Sequence, residues 1–308
     1  MADESHTKRL TSAGTDRSDE LRAIIAERIL VLDGAMGTML QSQELGPDDF
    51  GGPELEGCNE ILVRTRPDVI SGVHRAYLAA GADIIETDTF GGTPLVLDEY
   101  GLGADARALN RLAAELAVGA AREASTPAKP RFVAGSMGPS TKAISVTGGI
   151  TFAELVWTFG EQARGLLVGG VDFLIIETCQ DTRNTKAALI AVEEAFADAG
   201  ARRPVVVSGT IETSGTMLGG QAADAFLASI EHAGLMAVGL NCATGPDLMT
   251  DHLRTIHERA RVAVSCFPNA GLPDQDGLYP ETPESLAAAL ERFADAGWLN
   301  IVGVCCGT

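Results

Sequence analysis

The strongest constraint on the fold is a unit that recurs along most of the 308-residue chain. Each unit has a helical segment, a glycine near its end and a short apolar run, as in 68–80, Gly81 and 83–87. Eight such runs begin near residues 29, 83, 131, 171, 204, 236, 261 and 299. Because strands that alternate with helices form parallel sheets, and because the runs are continuously apolar, we predict strands buried on both faces.

Eight units favour a closed (β/α)8 barrel, the TIM-barrel fold, over an open doubly wound sheet, although propensity alone does not separate the two. We expect a flexible polar tail over residues 1–20 and one barrel domain over 21–308, with a long loop over 46–59. No helical segment follows the last strand, so the barrel is expected to lack its eighth helix in this chain. Either an earlier helix covers that strand or the chain is the front of a longer protein, and we favour the second.

Charge and cysteine content restrict the partners and the compartment. The formal net charge is −19, whereas nucleic acids and anionic membranes attract clustered Lys and Arg, so neither partner is expected. The N-terminus has no apolar signal core, and no apolar run is long enough to cross a bilayer. Six cysteines are too sparse for a secreted disulfide scaffold. We therefore predict a cytoplasmic protein whose clustered thiols serve metal binding or catalysis.

Three cysteines directly follow two of the predicted strands. Cys242 follows the run 237–241, and the adjacent pair Cys305 and Cys306 follows the run 299–304. In a closed barrel strand eight lies two places from strand six, and all strand C-termini meet at one rim. Three thiolates suit zinc and leave a fourth position open, as in catalytic sites. Taken singly, each thiol would more often be a core residue.

Acidic residues stand at three other predicted strand ends, Asp33, Glu86 and Glu177. Carboxylates at a rim can bind a substrate ammonium, and Asn269 adds an amide nearby. Taken singly, each acid would more often cap a helix or pair with an arginine. Together the acids predict a polar pocket beside a thiophilic metal.

These motifs resemble those of the homocysteine S-methyltransferases, and most closely the homocysteine-binding domain of cobalamin-dependent methionine synthase. The resemblance runs from about Ile29 to Thr308. Six motifs carry it: Leu32-Asp33-Gly34-Ala35-Met36-Gly37-Thr38, Glu86-Thr87-Asp88-Thr89-Phe90, Gly135-Ser136-Met137-Gly138-Pro139, Gly239-Leu240-Asn241-Cys242, Pro268-Asn269-Ala270-Gly271 and Cys305-Cys306-Gly307-Thr308. The two cysteine motifs are the specific ones, whereas glycine loops alone are weak evidence.

The resemblance implies a (β/α)8 barrel whose zinc is held by the residues that also carry the catalytic role: Cys242, Cys305 and Cys306. It places the amino-acid end of the substrate near Asp33 and Glu177, and Asn269 beside metal and substrate. The implied reaction is zinc-dependent methyl transfer to the thiol of L-homocysteine, which forms methionine. In the relatives that match best, methylcobalamin carried by another domain or protein supplies the methyl group. No cobalamin or folate site is recognisable in these 308 residues.

Zinc explains why a thiol would react at neutral pH. A free alkyl thiol has a pKa of about 8.5, and coordination to zinc deprotonates it. Three cysteinates already leave the zinc site with a net negative charge, so the metal withdraws little electron density from a fourth sulfur. The substrate sulfur is expected to stay nucleophilic.

Two positions depart from the family pattern. Val304 stands where a glycine usually precedes the cysteine pair, and Asp88 stands where asparagine is common. The first could alter the turn that carries the thiols. Neither removes a predicted metal ligand.

Three other functions compete with this one. The nearest is a stand-alone homocysteine S-methyltransferase that uses S-methylmethionine or betaine. A second is a barrel with a structural zinc and no catalysis. A third is a thiol redox enzyme using Cys305 and Cys306, which the lack of a C-x-x-C spacing disfavours. The remaining thiols, Cys58, Cys179 and Cys266, are expected in packing or loops, with Cys266 the most exposed at the rim.

Overall fold

The computed structural model describes residues 15–275 and 279–308, and its centre is a parallel sheet of eight strands. Each strand begins within a few residues of its predicted start. The strands are β1 Leu30–Val31, β2 Ile84–Glu86, β3 Phe132–Met137, β4 Phe173–Cys179, β5 Val205–Gly209, β6 Ala237–Asn241, β7 Ala263–Phe267 and β8 Ile301–Val302.

The sheet closes on itself. Hydrogen-bonded neighbours run in the order β1-β8-β7-β6-β5-β4-β3-β2, all parallel. A further parallel bridge joins Leu32 to Ile84, and the Asp33 N–H donates to the Ile84 carbonyl at 3.0 Å, so β1 also meets β2. The predicted barrel is confirmed, and the open doubly wound sheet is excluded.

Twelve α-helices lie in the described ranges, and a helix precedes each strand from β2 to β8, as the repeating unit predicts. Helix α8 (Phe152–Gly169) illustrates the local signals, because Thr151 and Glu154 form a capping box at its start and Gly170 ends it at φ 92°. The segment 46–59, expected to be a loop, contains one helical turn, α3 (Pro47–Phe50). The helices are α1 Ser18–Glu27, α2 Met36–Gln41, α3 Pro47–Phe50, α4 Leu62–Thr65, α5 Pro67–Ala80, α6 Pro94–Leu97, α7 Ala106–Ala124, α8 Phe152–Gly169, α9 Thr182–Ala199, α10 Ala223–Ile230, α11 Pro246–Arg259 and α12 Pro283–Asp295.

Alternate strand residues build two separate cores. Residues on one face of the strands, such as Ile84, Phe132 and Ile175, form a cluster inside the barrel. Residues on the other face, such as Val133 and Leu174, pack against the surrounding helices. This burial on both faces is the reason why the strand sequences are apolar without alternation.

Helix α1 closes the amino-terminal end of the barrel. It begins at Ser18, inside the segment 1–20 that was expected to be a tail, and its buried Leu21 and Ile25 join the interior cluster. Just before it, the Arg17 guanidinium lies 4.2 Å from the centroid of the Phe132 ring. Residues 15–20 of the expected tail are therefore docked on the barrel, and residues 1–14 lie outside the described residues.

The outer face of β1 stays open. Its two residues point to opposite faces, so that Leu30 enters the interior cluster while Val31 is 43% exposed. Helix α1 thus seals an end of the barrel and leaves Val31 uncovered on the wall. Within 15–275 and 279–308 the helices are too short or too polar to cross a bilayer.

Candidate active site

The inward-facing residues turn polar at the carboxyl end of three strands. Ile84, Ala134 and Ile175 face the barrel interior, and two residues further along each strand stand Glu86, Ser136 and Glu177. Because side chains alternate along a strand, these three positions share the interior face. Ser136 and Glu177 are 2% and 6% exposed. Strand alternation therefore places two of the predicted acids in the mouth of the barrel.

Asp33 joins this polar layer from β1. Its Oδ2 accepts a hydrogen bond from the Glu86 backbone N–H at 3.0 Å, so the two acids are held side by side. Asp33 is only 4% exposed, yet its Oδ1 has no hydrogen-bond partner, and neither has the buried Oε1 of Glu86. A buried oxygen without a hydrogen-bond partner lowers the stability of the fold, so these two oxygens favour a ligand that can donate hydrogen bonds to them.

Burial makes the three acids hard to ionise. Loss of solvent raises the pKa of Asp33 and Glu86 well above ordinary values, and the Glu177 charge raises both further. Burial also raises the pKa of Glu177, to about 7. The hydrogen bond from Ser136 lowers this pKa, whereas the Cys242 charge raises it further. A bound cation would reverse this effect, since it favours the ionised carboxylates. The pocket is thus suited to a ligand that carries both positive charge and N–H donors.

Glu177 is held in place by its neighbours. The Ser136 hydroxyl donates to its Oε1 at 2.5 Å, and the Asn241 amide lies 3.5 Å from its Oε2. Asn241 also forms two hydrogen bonds with Thr178, the residue after Glu177. Its Oδ1 accepts from the Thr178 N–H at 2.8 Å, and its Nδ2 donates to Thr178 Oγ1 at 2.7 Å. Thr178 has a φ of 53°, a backbone state that needs such support. Asn241 therefore fixes the end of β4 from β6.

The three predicted cysteines lie together at the same rim. The sulfur atoms of Cys242, Cys305 and Cys306 all lie within 4.8 Å of one another, and those of the adjacent pair are 4.0 Å apart. All three are free thiols of intermediate exposure. Within the described ranges this is the one group of three His, Cys, Asp or Glu side chains close enough to hold a metal ion. Barrel closure brings residues of β6 and β8 together as the sequence predicted.

The last residue of β7 and the two residues after it hold the backbone of all three cysteines. The Cys242 N–H donates to the Phe267 carbonyl at 3.0 Å, and the Cys305 N–H donates to the Pro268 carbonyl at 2.8 Å. The Cys306 N–H donates to the side-chain Oδ1 of Asn269 at 3.1 Å. Strand β7 lies between β6 and β8, so hydrogen-bond acceptors at its end can reach both cysteine turns.

Both cysteine turns leave the sheet abruptly. Cys242 and Ala243 have φ values of 60° and 58°, in the left-handed region that non-glycine residues seldom adopt. After the cysteine pair, Gly307 turns the chain at φ 86°, and its N–H donates to Thr38 Oγ1 at 3.2 Å. These turns let neighbouring thiols face one point, which a continued strand would prevent.

The thiols share protons unequally. Hydrogen bonds with Cys242 and then Cys306, together with burial, raise the pKa of Cys305 well above its usual value. Hydrogen bonds from Cys242 and Cys305 lower the pKa of Cys306. One thiolate thus forms readily while its neighbours donate to it. A soft cation would replace those shared protons, so the donor set fits a thiophilic metal such as zinc.

The structure places Asn269 at the thiol cluster and the three remaining cysteines away from it. Asn269 is 5% exposed and lies at the thiol cluster, but its Oδ1 already accepts the Cys306 N–H. Cys266 was predicted to be the most rim-exposed of the other thiols, and this is wrong. It is fully buried, because it shares the outward face of β7 with Val264 and its sulfur contacts Met249 Sδ at 3.9 Å. Cys58 and Cys179 are buried, as expected.

The two departures from the family pattern leave the thiols in place. Val304 has a negative φ, and its N–H donates to the Asp33 carbonyl at 3.4 Å, so no glycine is needed there. Asp88 is 5% exposed, and burial followed by the Glu60 charge raises its pKa well above the usual value. The raised pKa favours the protonated, neutral carboxyl group, which resembles the amide of asparagine.

Sequence analysis missed Tyr279 as a site residue. Its ring contacts the backbone of Gly307, the residue that directly follows Cys306. Tyr279 lies between β7 and α12 in the sequence, away from the strand ends that carry the motifs, so no motif pointed to it. Asn241 was recognised on the rim, but its contacts to Thr178 could not be read from spacing.

Comparison with known proteins agrees with this geometry. A methionine synthase of Mycobacterium leprae (strain TN) is 45% identical over 304 residues, which are 97% of this chain and 25% of that protein. A methionine synthase of Mycobacterium tuberculosis (strain ATCC 25618 / H37Rv) is 44% identical over 292 residues, which are 94% of this chain and 24% of that protein. The chain thus spans about a quarter of the length of these relatives.

A solved structure matches over the whole barrel. The homocysteine methyltransferase MmuM from Escherichia coli, in its metallated form, superposes with a TM-score of 0.76 at 26% identity, covering 94% of this chain and 95% of that chain. Its oxidised form gives a TM-score of 0.75. The family model described as homocysteine S-methyltransferase matches residues 30–308, from β1 through the cysteine pair. By this match and by the identity to both synthases, the chain belongs to the homocysteine S-methyltransferase family.

Proposed function

We propose that this barrel binds L-homocysteine and transfers a methyl group to its sulfur, forming methionine. One observation carries the proposal: three thiols within 4.8 Å of one another share a rim with a buried carboxylate whose Oδ1 lacks a partner, Asp33. The thiols suit the sulfur end of the substrate and the acids suit its ammonium end. Homocysteine is a small molecule that carries both groups.

The metal of this site is proposed to be zinc, held by three residues: Cys242, Cys305 and Cys306. The donor set supports zinc because three sulfurs leave one of its usual four positions for a substrate thiol. Zinc bound there would supply the positive charge that keeps the cysteine and substrate thiols deprotonated at neutral pH. That the E. coli relative was solved in metallated and oxidised forms is consistent with a thiol site that takes a metal.

The chain's own residues are proposed to orient the substrate. Asp33 and Glu177 would accept hydrogen bonds from the ammonium group, and Glu86 would add a third carboxyl oxygen. The substrate charge would let these acids ionise, so binding is expected to release protons from the pocket to solvent. Asn269 is proposed to act beside metal and substrate by holding the Cys306 turn through its Oδ1.

The transfer itself needs little from the protein beyond position. The substrate thiolate attacks the methyl carbon, a carbon–sulfur bond forms, and the donor leaves with the electron pair of the broken bond. Burial of the ammonium end fixes where the sulfur stands, which lowers the entropy cost of meeting the donor. The enzyme is thus proposed to work by alignment and by keeping the sulfur deprotonated.

The donor is proposed to be methylcobalamin carried by another domain or protein. The two methionine synthases support this choice, because their lengths leave room for further domains outside the quarter matched here. The second candidate is a stand-alone methyltransferase that uses S-methylmethionine or betaine. The E. coli homocysteine methyltransferase supports this candidate, because the match covers 95% of that chain. We also propose a cytoplasmic location, where free thiols stay reduced.

The decisive experiment replaces Cys242 by alanine. The variant is expected to lose most of its bound zinc and its methyl transfer to homocysteine, measured by metal analysis and by methionine formation with each donor in turn. Cys266→Ala is the matched control, because that thiol lies on the outward face of β7. Zinc content and transfer that survive in Cys242→Ala would refute the proposal. Donor competition in the unmodified protein separates methylcobalamin from the other methyl donors.

Two measurements on the unmodified protein distinguish a structural zinc site and a thiol redox enzyme from the proposed methyltransferase. A structural zinc would be saturated by protein ligands and would show no uptake of homocysteine sulfur, which cobalt substitution reports through its thiolate absorption. A thiol redox enzyme would cycle Cys305 and Cys306 between thiol and disulfide. A disulfide between adjacent residues closes a small, sterically unfavourable ring, so we expect mass spectrometry to find no such disulfide under mild oxidation.

A further inference from the structure

A buried glutamine reaches the mouth of the barrel from the surrounding helices. Gln162 lies on α8 and is fully buried, although glutamine is usually a surface residue. Its Nε2 donates to two main-chain carbonyls, that of Thr89 at 2.7 Å and that of Ser136 at 3.3 Å. Thr89 follows β2, and Ser136 stands near the end of β3. Gln162 thus connects the outer helical layer to the polar rim.

Side chains replace the strand ladder where Gln162 arrives. The paired register of β2 with β3 ends two residues before Ser136. Beyond that point the Ser136 N–H donates to Thr87 Oγ1 at 3.0 Å. The Ser136 carbonyl accepts from Thr89 Oγ1 at 2.7 Å and from the Gln162 amide. Three side chains therefore hold the Ser136 backbone on the side where β2 no longer pairs with it.

The residue held in this way orients an acid of the pocket. The Ser136 hydroxyl donates to Glu177 Oε1 at 2.5 Å, and both side chains are buried. The hydrogen bonds that begin at Gln162 thus end on a carboxyl group that is proposed to bind the substrate ammonium. Gln162 itself stays on the outer side of β3, away from the substrate.

Stability alone does not account for a glutamine at this position. Its Oε1 is buried without a hydrogen-bond partner, which is unfavourable. Each carbonyl that it contacts has another donor, since that of Thr89 accepts the Gly92 N–H at 2.9 Å and that of Ser136 accepts the Thr89 hydroxyl. An apolar side chain of similar length would remove the unpaired oxygen and would leave both carbonyls with a donor. The amide therefore contributes alignment more than stability.

We propose that Gln162 is a positioning residue for the substrate ammonium, which acts through Ser136 to hold Glu177 in its binding orientation. The inference rests on the proposed function. It assigns a role in substrate recognition to a helix residue that is neither a metal ligand nor a substrate contact.

The test compares two thiols that differ only in the amino group. L-Homocysteine and 4-mercaptobutanoate are titrated into the zinc-loaded chain, and calorimetry gives both dissociation constants. Gln162→Met keeps the length of the side chain and removes the amide, and Gln43→Met is the matched control at an exposed position. Ser136→Ala is made alone and together with Gln162→Met, and urea unfolding checks each variant.

We expect Gln162→Met to raise the dissociation constant of homocysteine roughly fivefold, which corresponds to about 1 kcal/mol. That of 4-mercaptobutanoate and the urea midpoint should stay unchanged, and Gln43→Met should change neither ligand. In the Ser136→Ala background the substitution should add no further loss, because Gln162 acts through Ser136.

Four results would overturn this inference: unchanged homocysteine binding, equal weakening of both thiols, full additivity with Ser136→Ala, or an unfolded Gln162→Met protein. Each of these leaves the proposed function standing as long as the unmodified protein prefers homocysteine. If the unmodified protein binds the two thiols equally or binds neither, the proposed function itself is wrong.

Discussion

A buried histidine gives the sharpest test of the energetics of this fold. His74 lies on α5 four residues from both Ile70 and Leu78, so the helical period places it on the apolar face. It is fully buried, and neither ring nitrogen has a hydrogen-bond partner. Burial alone lowers its pKa from 6.5 to about 4. The imidazole is therefore neutral in the folded chain at neutral pH.

The lowered pKa couples folding to pH in a defined direction. Below pH 6.5 the unfolded chain takes up a proton that the folded chain refuses, so stability falls as the pH falls. With a folded pKa of about 4, linkage predicts a loss of about 2 kcal/mol between pH 7 and pH 5. The full loss, reached below pH 4, would be about 3 kcal/mol.

The perturbation is His74→Leu, which fills the site with an apolar side chain that does not titrate. Urea unfolding at pH 7 and pH 5 gives four free energies, and carboxyl groups common to both proteins cancel in the double difference. We expect the variant to lose about 2 kcal/mol less than the unmodified protein. His232→Leu, at an exposed position, should show no such difference.

Two results would refute this reasoning. One is equal pH dependence in the unmodified protein and His74→Leu. The other is a nuclear magnetic resonance titration in which the His74 ring gains its proton near pH 6.5 in the folded state. At pH 7 the variant should be at least as stable as the unmodified protein, because it removes two unsatisfied nitrogens.

Three further substitutions test the packing around the site. Gly239→Ala should prevent folding, because its Cβ would overlap the Ser265 carbonyl oxygen of β7; a folded circular dichroism spectrum would contradict this. Asn241→Ala should cost about 1–3 kcal/mol in urea unfolding, because it strands the buried Thr178 N–H; a loss below 0.5 kcal/mol would show that Asn241 does not hold β4. Val304→Gly should leave zinc content unchanged and lower stability by about 0.5–1 kcal/mol, since this residue has a negative φ; a gain in zinc content would mean that valine distorts the turn.

The strands could be predicted because each is a short apolar run after a helix that has clear end signals. Their lengths could not be predicted. β1 and β8 contain only two residues each, Leu30–Val31 and Ile301–Val302, because the ladder at the closing seam is short. Local propensity does not contain that information, since ladder length depends on how two distant strands meet. The same limit hid the role of α1, whose apolar residues pack on strands far along the chain.

The error over Cys266 could have been avoided by counting strand parity. Val264 and Cys266 are two residues apart, so they face the same side of β7, and Val264 has the character of a helix-facing residue. Ser265, between them, occupies the other face. Parity likewise explains why Glu86 and Glu177 point inward. It fails at the cysteine pair, where the strand has already ended and backbone turns decide the direction of each thiol.

The three thiols meet because residues 267–269 hold their backbone, and sequence analysis identified only the Asn269 amide in that range. Strand β7 separates β6 from β8. Its last residue and the two that follow it, residues 267–269, accept the backbone N–H groups of Cys242, Cys305 and Cys306. Two of these acceptors are main-chain carbonyls, which no residue identity reveals. Barrel closure could therefore be used to predict that the thiols approach one another. Their convergence on one point depends on hydrogen bonds to the segment between them, so changes at Asn269 should disturb Cys306 before they disturb Cys242.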